Sequence, residues 1–442
     1  MPHYPAATGH TVPCRRPFHH MTDKTLDVAT LGQVFTPPAI VERMLGLMHR
    51  HGRTLDPACG DGAFSARLPG CVAIELDPRH CPSGALNQDF FDYPESEQFD
   101  TIIGNPPYIK ARDILPGTAL RLHSTLLNGH ANLYFHFIEK CIRHLKPGGE
   151  LIFITPRDFL KATGAAQLNS WLHDQGSITD LIELGDAKIF SGALPNCIIW
   201  RFEKGDFARR LGDGRRMRLT GGQLMFTRGI YSLPLSSLFG VKVGGVSGAD
   251  DIFASAEFGN ADFVCSRTAQ TGELRRMIYL DFAPNSHAAR HAPALGHLAE
   301  HKERLLARRV TSFDEANWWC WGRRPPASTA PRIYVNHKTR NPRPFFLHPC
   351  NNFDGSVLAL FPHVQDGNEL ATLTEMLNDV DWAELGFVCD GRFLFAQRSL
   401  AHALLPEDFA AFAVERKNLS PLPVSTETVR EGGGFLRVKS GK

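Results

Sequence analysis

The chain has 442 residues, 43% hydrophobic and 21% charged, with a formal net charge of +2. That is the profile of a soluble globular protein with one large or two ordinary domains. No apolar window approaches the length of a membrane span and no signal-peptide run opens the chain, so the expectation is a cytoplasmic protein without a membrane partner. Ten scattered cysteines lack any Cys-x-x-Cys pair, and twenty histidines show no metal-ligand spacing, which argues for reduced thiols and no metal site.

Residues 1–30 are polar and rich in Pro and His, and are expected to form a disordered tail, with Met21 as an alternative start. The stretch Leu31-Gly-Gln-Val-Phe-Thr-Pro-Pro38 then leads into a helix. Thr36 suits the N-cap, Pro37 the first helical position, and Ile40, Val41, Met44 and Leu45 recur at helical spacing. From Arg53 to Leu68 the pattern reads as strand, glycine turn and helix. Gly60 and Gly62 let the backbone approach a ligand, and Asp56 at the strand end can hold a cationic amino group. A nicotinamide enzyme would show Gly-x-Gly-x-x-Gly, but Ser65 stands at the third glycine position. A second strand, Val72–Glu75, ends in an acid at the interval expected of a ribose-binding carboxylate. A third short element, 87–91, offers Asp89 as an acceptor for an adenine amine and Phe90 as a packing face.

A fourth strand runs from Thr101 into Gly104 and the tetrapeptide Asn105-Pro106-Pro107-Tyr108. The Asn105 side-chain carbonyl can accept one hydrogen of an amine, and the Pro106 carbonyl the other, because paired prolines hold the backbone extended. Tyr108 offers a flat face to a planar ring. Such a clamp suits a conjugated amine. Its delocalised lone pair is a poor nucleophile, and two acceptors stabilise the charge that develops as a new bond forms, without a strong base. A strand ending in a Pro-Pro turn is the structural alternative.

A helix over 132–142 ended by Lys146-Pro-Gly-Gly149, a strand over 151–156, a helix near 162–174 and strands over 178–184 and 197–202 complete an open, doubly wound α/β sheet. Phe190, between the last two strands, is a candidate to face the same pocket as Tyr108. Composition shifts near 203. Residues 204–235 are expected to be a linker, and 236–442 a second, α+β domain. Within it, 302–343 carries ten Lys/Arg and three acids, interleaved with Phe313, Trp318, Trp319, Trp321 and Tyr334, a strip suited to a phosphate backbone.

In this order the motifs resemble the gamma-class, TaqI-like DNA adenine-N6 methyltransferases of bacterial type II restriction–modification systems. The resemblance covers 31 to about 202, and implies a Rossmann-like methyltransferase domain over 31–203 with a C-terminal target recognition domain. It implies S-adenosyl-L-methionine as cofactor and no metal. Val34, Thr36, Asp56, Ala58 and Gly60 would line its methionine end, Glu75 would take the ribose, and Asp89 and Phe90 the adenine. Asn105 and Pro106 would hold the target amine, between Tyr108 and Phe190. The loop 109–128 would close over DNA. The substrate would be an adenine flipped out of double-stranded DNA. The enzyme would be a monomer, serving beside a separate cognate restriction endonuclease.

Three other readings stay open. An Asn-Pro-Pro-Tyr methyltransferase acting on RNA or on a protein glutamine amide would carry the same clamp. Cytosine amino-methylation is a variant of the same chemistry. A DNA-binding specificity subunit with a degenerate cofactor domain would bind without transferring.

Overall fold

The computed structural model describes residues 36–184, 196–280, 292–363, 369–389 and 391–413. They fall into two compact units that part between Leu224 and Met225. In the first unit, β1 (Thr54–Asp56), β2 (Val72–Glu75), β3 (Leu86–Asn87), β4 (Phe99–Gly104), β5 (Leu145–Pro156), β6 (Gly176–Glu183) and β7 (Cys197–Lys204) form one sheet in the order β3-β2-β1-β4-β5-β7-β6. The first five run parallel, and β7 is antiparallel to both β5 and β6. The order reverses at β1, with β2 on one side and β4 on the other. In an open α/β sheet the crevice beyond the carboxyl ends of two such strands is where ligands bind.

The strands form because their apolar runs can be covered on both faces. Ile102, Ile103, Leu151 to Ile154 and Ile198 to Trp200 are all fully buried. Helix α1 (Pro38–Leu45) lays Val41 and Met44 on Ile103, Ile152, Ile154 and Ile199. After α2 (Pro116–Ala119), helices α3 (Leu133–Arg143) and α4 (Ala166–Gln175) complete the unit. Under the sheet lies a buried ion pair. Arg201 Nε donates to Glu150 Oε2 at 2.7 Å, and Oε1 accepts from Arg50 N at 2.8 Å and Thr101 Oγ1 at 3.0 Å.

Four local expectations are corrected. The helix expected after the glycine turn is a single 3₁₀ turn, Ser65–Arg67, because Pro69 forces Leu68 into an extended conformation. Thr36 does not cap α1. Pro37, extended at ψ 146° ahead of Pro38, takes the cap position, and its carbonyl accepts from Ile40 N and Val41 N. The segment Lys146-Pro-Gly-Gly149, read as the stop of α3, lies inside β5 as a register irregularity opposite Phe99 and Thr101. The interval 204–235, read as a linker, holds strands at Arg216–Thr220, Gln223–Thr227 and Tyr231–Pro234.

The second unit is α+β. A four-stranded antiparallel sheet has the order Phe239–Val243, Val357–Pro362, Ile333–Asn336, Phe345–Phe346. It is buried on both faces, with strict alternation. Ile333, Val335, Leu358 and Leu360 pack with helix Glu369–Asp379 through Leu373 and Leu377, while Tyr334, Val357 and Ala359 pack with Val264 and Phe353.

The basic, aromatic strip over 302–343 is divided between surface and core, with Arg304, Arg309, Arg323, Arg324, Lys338, Arg340 and Arg343 exposed. Trp319, Trp321 and Tyr334 belong to the core, and Arg308 and Arg332 are buried. Arg308 donates to the carbonyls of Leu305 and Cys320 at 2.7 and 3.0 Å, and Arg332 to those of Ala330 and Asn351 at 3.0 and 2.9 Å. Arg343 pairs with Glu375 and Asp379. These guanidiniums satisfy main-chain acceptors and acids that would otherwise stand unpaired.

Candidate active site

A cleft with about 800 Å³ of space, part of it open to solvent, lies at the carboxyl ends of β1, β2 and β4. Of the sequence-designated residues, Ala58, Gly60, Glu75, Asp89, Phe90 and Asn105 line it together. The glycine turn and the acid that ends β2 are built as one piece. Glu75 Oε2 accepts from Gly60 N and Oε1 from Asp77 N, both at 2.8 Å. Gly60 sits at φ +53°, a left-handed conformation that side chains disfavour. The carboxylate is therefore held rigidly on the cleft wall.

Asp89 follows β3 and caps the 3₁₀ turn Phe90–Asp92. Its Oδ1 accepts from Phe91 N at 2.9 Å and its Oδ2 from Thr118 Oγ1 at 2.6 Å. Phe90 is stacked on Phe137 of α3, with ring centroids 5.2 Å apart, which fixes the apolar wall beside Asp89. The two acids thus line the same cleft together with the apolar side chains of Phe90 and Ile109.

Asp56 ends β1 behind the cleft rather than on its lining. Its carboxyl is fully buried, and neither oxygen has a partner of hydrogen-bond geometry. Burial, reinforced by nearby Glu75, pushes its pKa up to about 8, although the amides of Ala58 and Ser65 oppose the shift. Gly104 is the reason the carboxyl fits there. A Cβ on Gly104 would lie 3.0 Å from Asp56 Oδ1.

At the end of β4, Asn105 lines the cleft and its Nδ2 donates to Thr36 Oγ1 at 3.2 Å. Thr36 thus orients the Asn105 side chain instead of capping the helix. Pro106 is buried outside the lining, and Pro107 faces the cleft in its place. Tyr108 is also off the lining. Its hydroxyl donates to Ile154 O at 2.9 Å, and its ring meets Tyr134 edge-on at 6.0 Å. Desolvation holds its phenol well above the usual range, so it stays neutral. Val34 and Phe190 lie outside the described residues.

Part of the loop after Tyr108 also lines the cleft. Ile109, Leu115 and Thr118 wall the same cleft as Glu75 and Asp89, and Arg121 Nε pairs with Asp92 at 2.6 Å. Lys110 and Arg112 remain exposed. No spacing in the sequence marks Leu115 or Thr118 as cleft residues. Their only cue is proximity in chain to the clamp.

The histidine reading needs one amendment. In the second unit the ligand atoms of His297, Glu300 and His301 lie within 4.8 Å of one another, a grouping formed across a helix end. His297 Nε2 is already 3.1 Å from Ile252 O, and Glu300 is exposed. Every cysteine among the described residues is free, and no described helix is long and apolar enough to cross a membrane.

Comparison with known proteins follows this geometry. Residues 81–190 match the family model of the Eco57I restriction-modification methylases. The chain is 36% identical over 209 residues to the type II methyltransferase M.TthHB8I of Thermus thermophilus, covering 42% of this chain and 48% of that protein. It is 31% identical over 194 residues to M.HincII of Haemophilus influenzae, covering 40% and 38%. The match thus spans half or less of the length of these relatives. Among solved structures, the type IIL restriction-modification enzyme MmeI in complex with DNA superposes with a TM-score of 0.55 at 13% identity, covering 83% of this chain and 64% of that one. That likeness is one of fold.

Proposed function

We propose that this chain, whose residues 81–190 match the Eco57I restriction-modification methylase family model, is a gamma-class DNA methyltransferase. It transfers a methyl group from S-adenosyl-L-methionine to the N6 amine of an adenine flipped out of double-stranded DNA. Its role is to protect DNA beside a cognate endonuclease, and the second unit is its target recognition domain. The observation that carries the reading is the convergence of Asn105 with Glu75 and Asp89 in one cleft, at the point where the strand order reverses.

The cleft suits the cofactor residue by residue. Glu75 accepts from a ribose diol. Asp89 retains acceptor capacity for an adenine amine beside its two existing bonds, since a carboxylate offers about four lone-pair sites. Phe90 and Ile109 supply apolar surface for the ring. The buried carboxyl of Asp56 favours a positive group nearby, because a cation would draw off its proton. When bound, the cofactor supplies a methyl group made electrophilic by a sulfonium.

The remaining chemistry belongs to the chain. Thr36 takes a hydrogen of Asn105 Nδ2, which turns the carboxamide oxygen to the opposite side. That oxygen and the Pro106 carbonyl accept the two hydrogens of the target amine. As the amine becomes tetrahedral and positive these acceptors bind it more tightly, which lowers the barrier. The amine of a stacked base cannot reach the clamp, so the base leaves the helix. Tyr108 is too firmly tied to Ile154 to act as a base. The proton is released after transfer.

The test offers tritiated S-adenosylmethionine with unmodified duplex DNA, bulk tRNA and a glutamine-bearing protein in parallel. Label recovered as N6-methyladenine from the duplex supports the reading. Label in RNA or protein keeps the clamp and overturns the DNA substrate. Full activity in Asn105→Ala would sink the clamp.

A further inference from the structure

The second unit carries a polar recess that the transfer chemistry does not use. Strand Ile333–Asn336 ends at its floor. Just beyond, Lys338–Thr339 pairs antiparallel with Arg392–Leu394, in the register Lys338↔Leu394 and Thr339↔Phe393. Ser266 and Gln270 close another side, leaving about 760 Å³ of space open to solvent. Three cationic side chains line it, Lys338, Arg340 and Arg392, and no carboxylate does.

Two buried polar atoms on this lining have no partner among the described residues, Arg392 Nε and Asn336 Oδ1. Asn336 is 3% exposed, and its Nδ2 donates to Ser266 O at 2.8 Å, which fixes the carboxamide with its oxygen on the other side. A buried acceptor left empty is destabilising, so the recess is built for an occupant that supplies a donor. The cations call for an anion. A carboxylate or a phosphodiester alone carries no donor at neutral pH, whereas a nucleotide of the duplex carries a phosphate and a base with N–H groups together.

We propose that this recess reads one nucleotide of duplex DNA. Arg392, Lys338 and Arg340 hold a backbone phosphate, and Asn336 Oδ1 accepts from an exocyclic amine on a base edge. In the major groove only adenine N6 and cytosine N4 present such a donor, so Asn336 discriminates those bases from guanine and thymine. The proposal rests on the reading of the chain as a DNA methyltransferase and assigns part of its specificity to named residues.

The experiment measures DNA binding and methylation by the full chain. Fluorescence anisotropy with 30-base-pair duplexes is run from 50 to 200 mM salt for wild type, Lys338→Gln and Arg392→Gln. Each variant is expected to bind all duplexes about 3–10-fold more weakly and to lower the log–log salt slope by about one, with cofactor affinity unchanged. Asn336→Leu, compared over a library of methylated sites, is expected to relax the preference at one position while retaining methylation elsewhere. Lys338 is exposed, so its variant stays informative should Asn336→Leu fail to fold. Unchanged affinity and slope in both cation variants, with wild-type DNA methylation intact, would overturn the recess and leave the enzyme reading standing. Failure of wild type to bind or label DNA would overturn both.

Discussion

Replacing Asp56 by Asn should stabilise the ligand-free protein at neutral pH while weakening its hold on a cationic cofactor. In the fold the carboxyl keeps its proton up to about pH 8, against an ordinary value of 3.8. Between those limits the folded state binds a proton that the unfolded state has lost, so stability falls as pH rises, by about 1.36 kcal/mol per pH unit. At pH 7 that amounts to about 4 kcal/mol, fully recovered only below pH 3.8. Asparagine carries no such penalty. Its amide hydrogens must still find acceptors in the same space, so about 2–4 kcal/mol is the expected net gain at pH 7.

Urea unfolding of wild type and Asp56→Asn at pH 5, 6, 7 and 8 isolates this group, because every other titration is common to both proteins. The stability difference should grow steadily over that range. Isothermal titration with S-adenosylhomocysteine and S-adenosylmethionine supplies the other half. The charged cofactor should bind wild type more tightly as pH rises toward 8, and the variant should lose that dependence and about tenfold in affinity. A stability difference flat from pH 5 to 8 would mean that the carboxyl is ionised throughout, and the argument from burial would fail.

Thr36→Val removes the acceptor for Asn105 Nδ2 and should lower the methylation rate by about 5–10-fold, the worth of one hydrogen bond, with cofactor affinity unchanged. Thr36→Ser should restore it, and equal rates in Val and Ser variants would deny the orienting role. Thr118→Val frees the Asp89 carboxylate on one side and should weaken cofactor binding by about the same factor, read by calorimetry. Arg201→Met leaves Glu150 charged and fully buried without its cationic partner, and should cost about 3–5 kcal/mol in denaturant unfolding. Glu150→Gln with Arg201→Met should recover part of that loss, which a simple packing defect would not.

The sheet was legible in sequence because parallel strands covered on both faces leave unbroken apolar runs, as in Leu151 to Ile154, and because β2 ends at an acid where side chains converge on the crevice. The same logic overreached after Gly62. Strand, glycine turn and helix is the usual succession, but Pro69 leaves room for one 3₁₀ turn only. In the second unit, composition could not separate the buried cations of the strip from the exposed ones, for a chemical reason. An arginine that solvates buried carbonyls, such as Arg308, and one that meets a phosphate are the same letter. What separates them is whether the neighbouring acceptors are already filled, and that is a property of packing.

The site divides along the same line. That Glu75, Asp89 and Asn105 come together on the cleft was legible, the acids because strand ends announce themselves and Asn105 because two prolines follow it. Thr36 and Thr118 act through partners 69 and 29 residues away, and their spacing carries no trace of those contacts. Thr36 had a more ordinary local reading as a helix cap, and Thr118 had none of its own. In each case the hydroxyl orients a residue of the cleft. A carboxylate or carboxamide whose second side is left to solvent samples several rotamers, and each loses part of the geometry that the proposed transfer requires. One hydroxyl per functional side chain removes that freedom at Asn105 and at Asp89, and the two main-chain amides on Glu75 do the same. The acceptors of this cleft are therefore set before any ligand arrives, which is the condition under which hydrogen bonds can favour a transition state over a ground state.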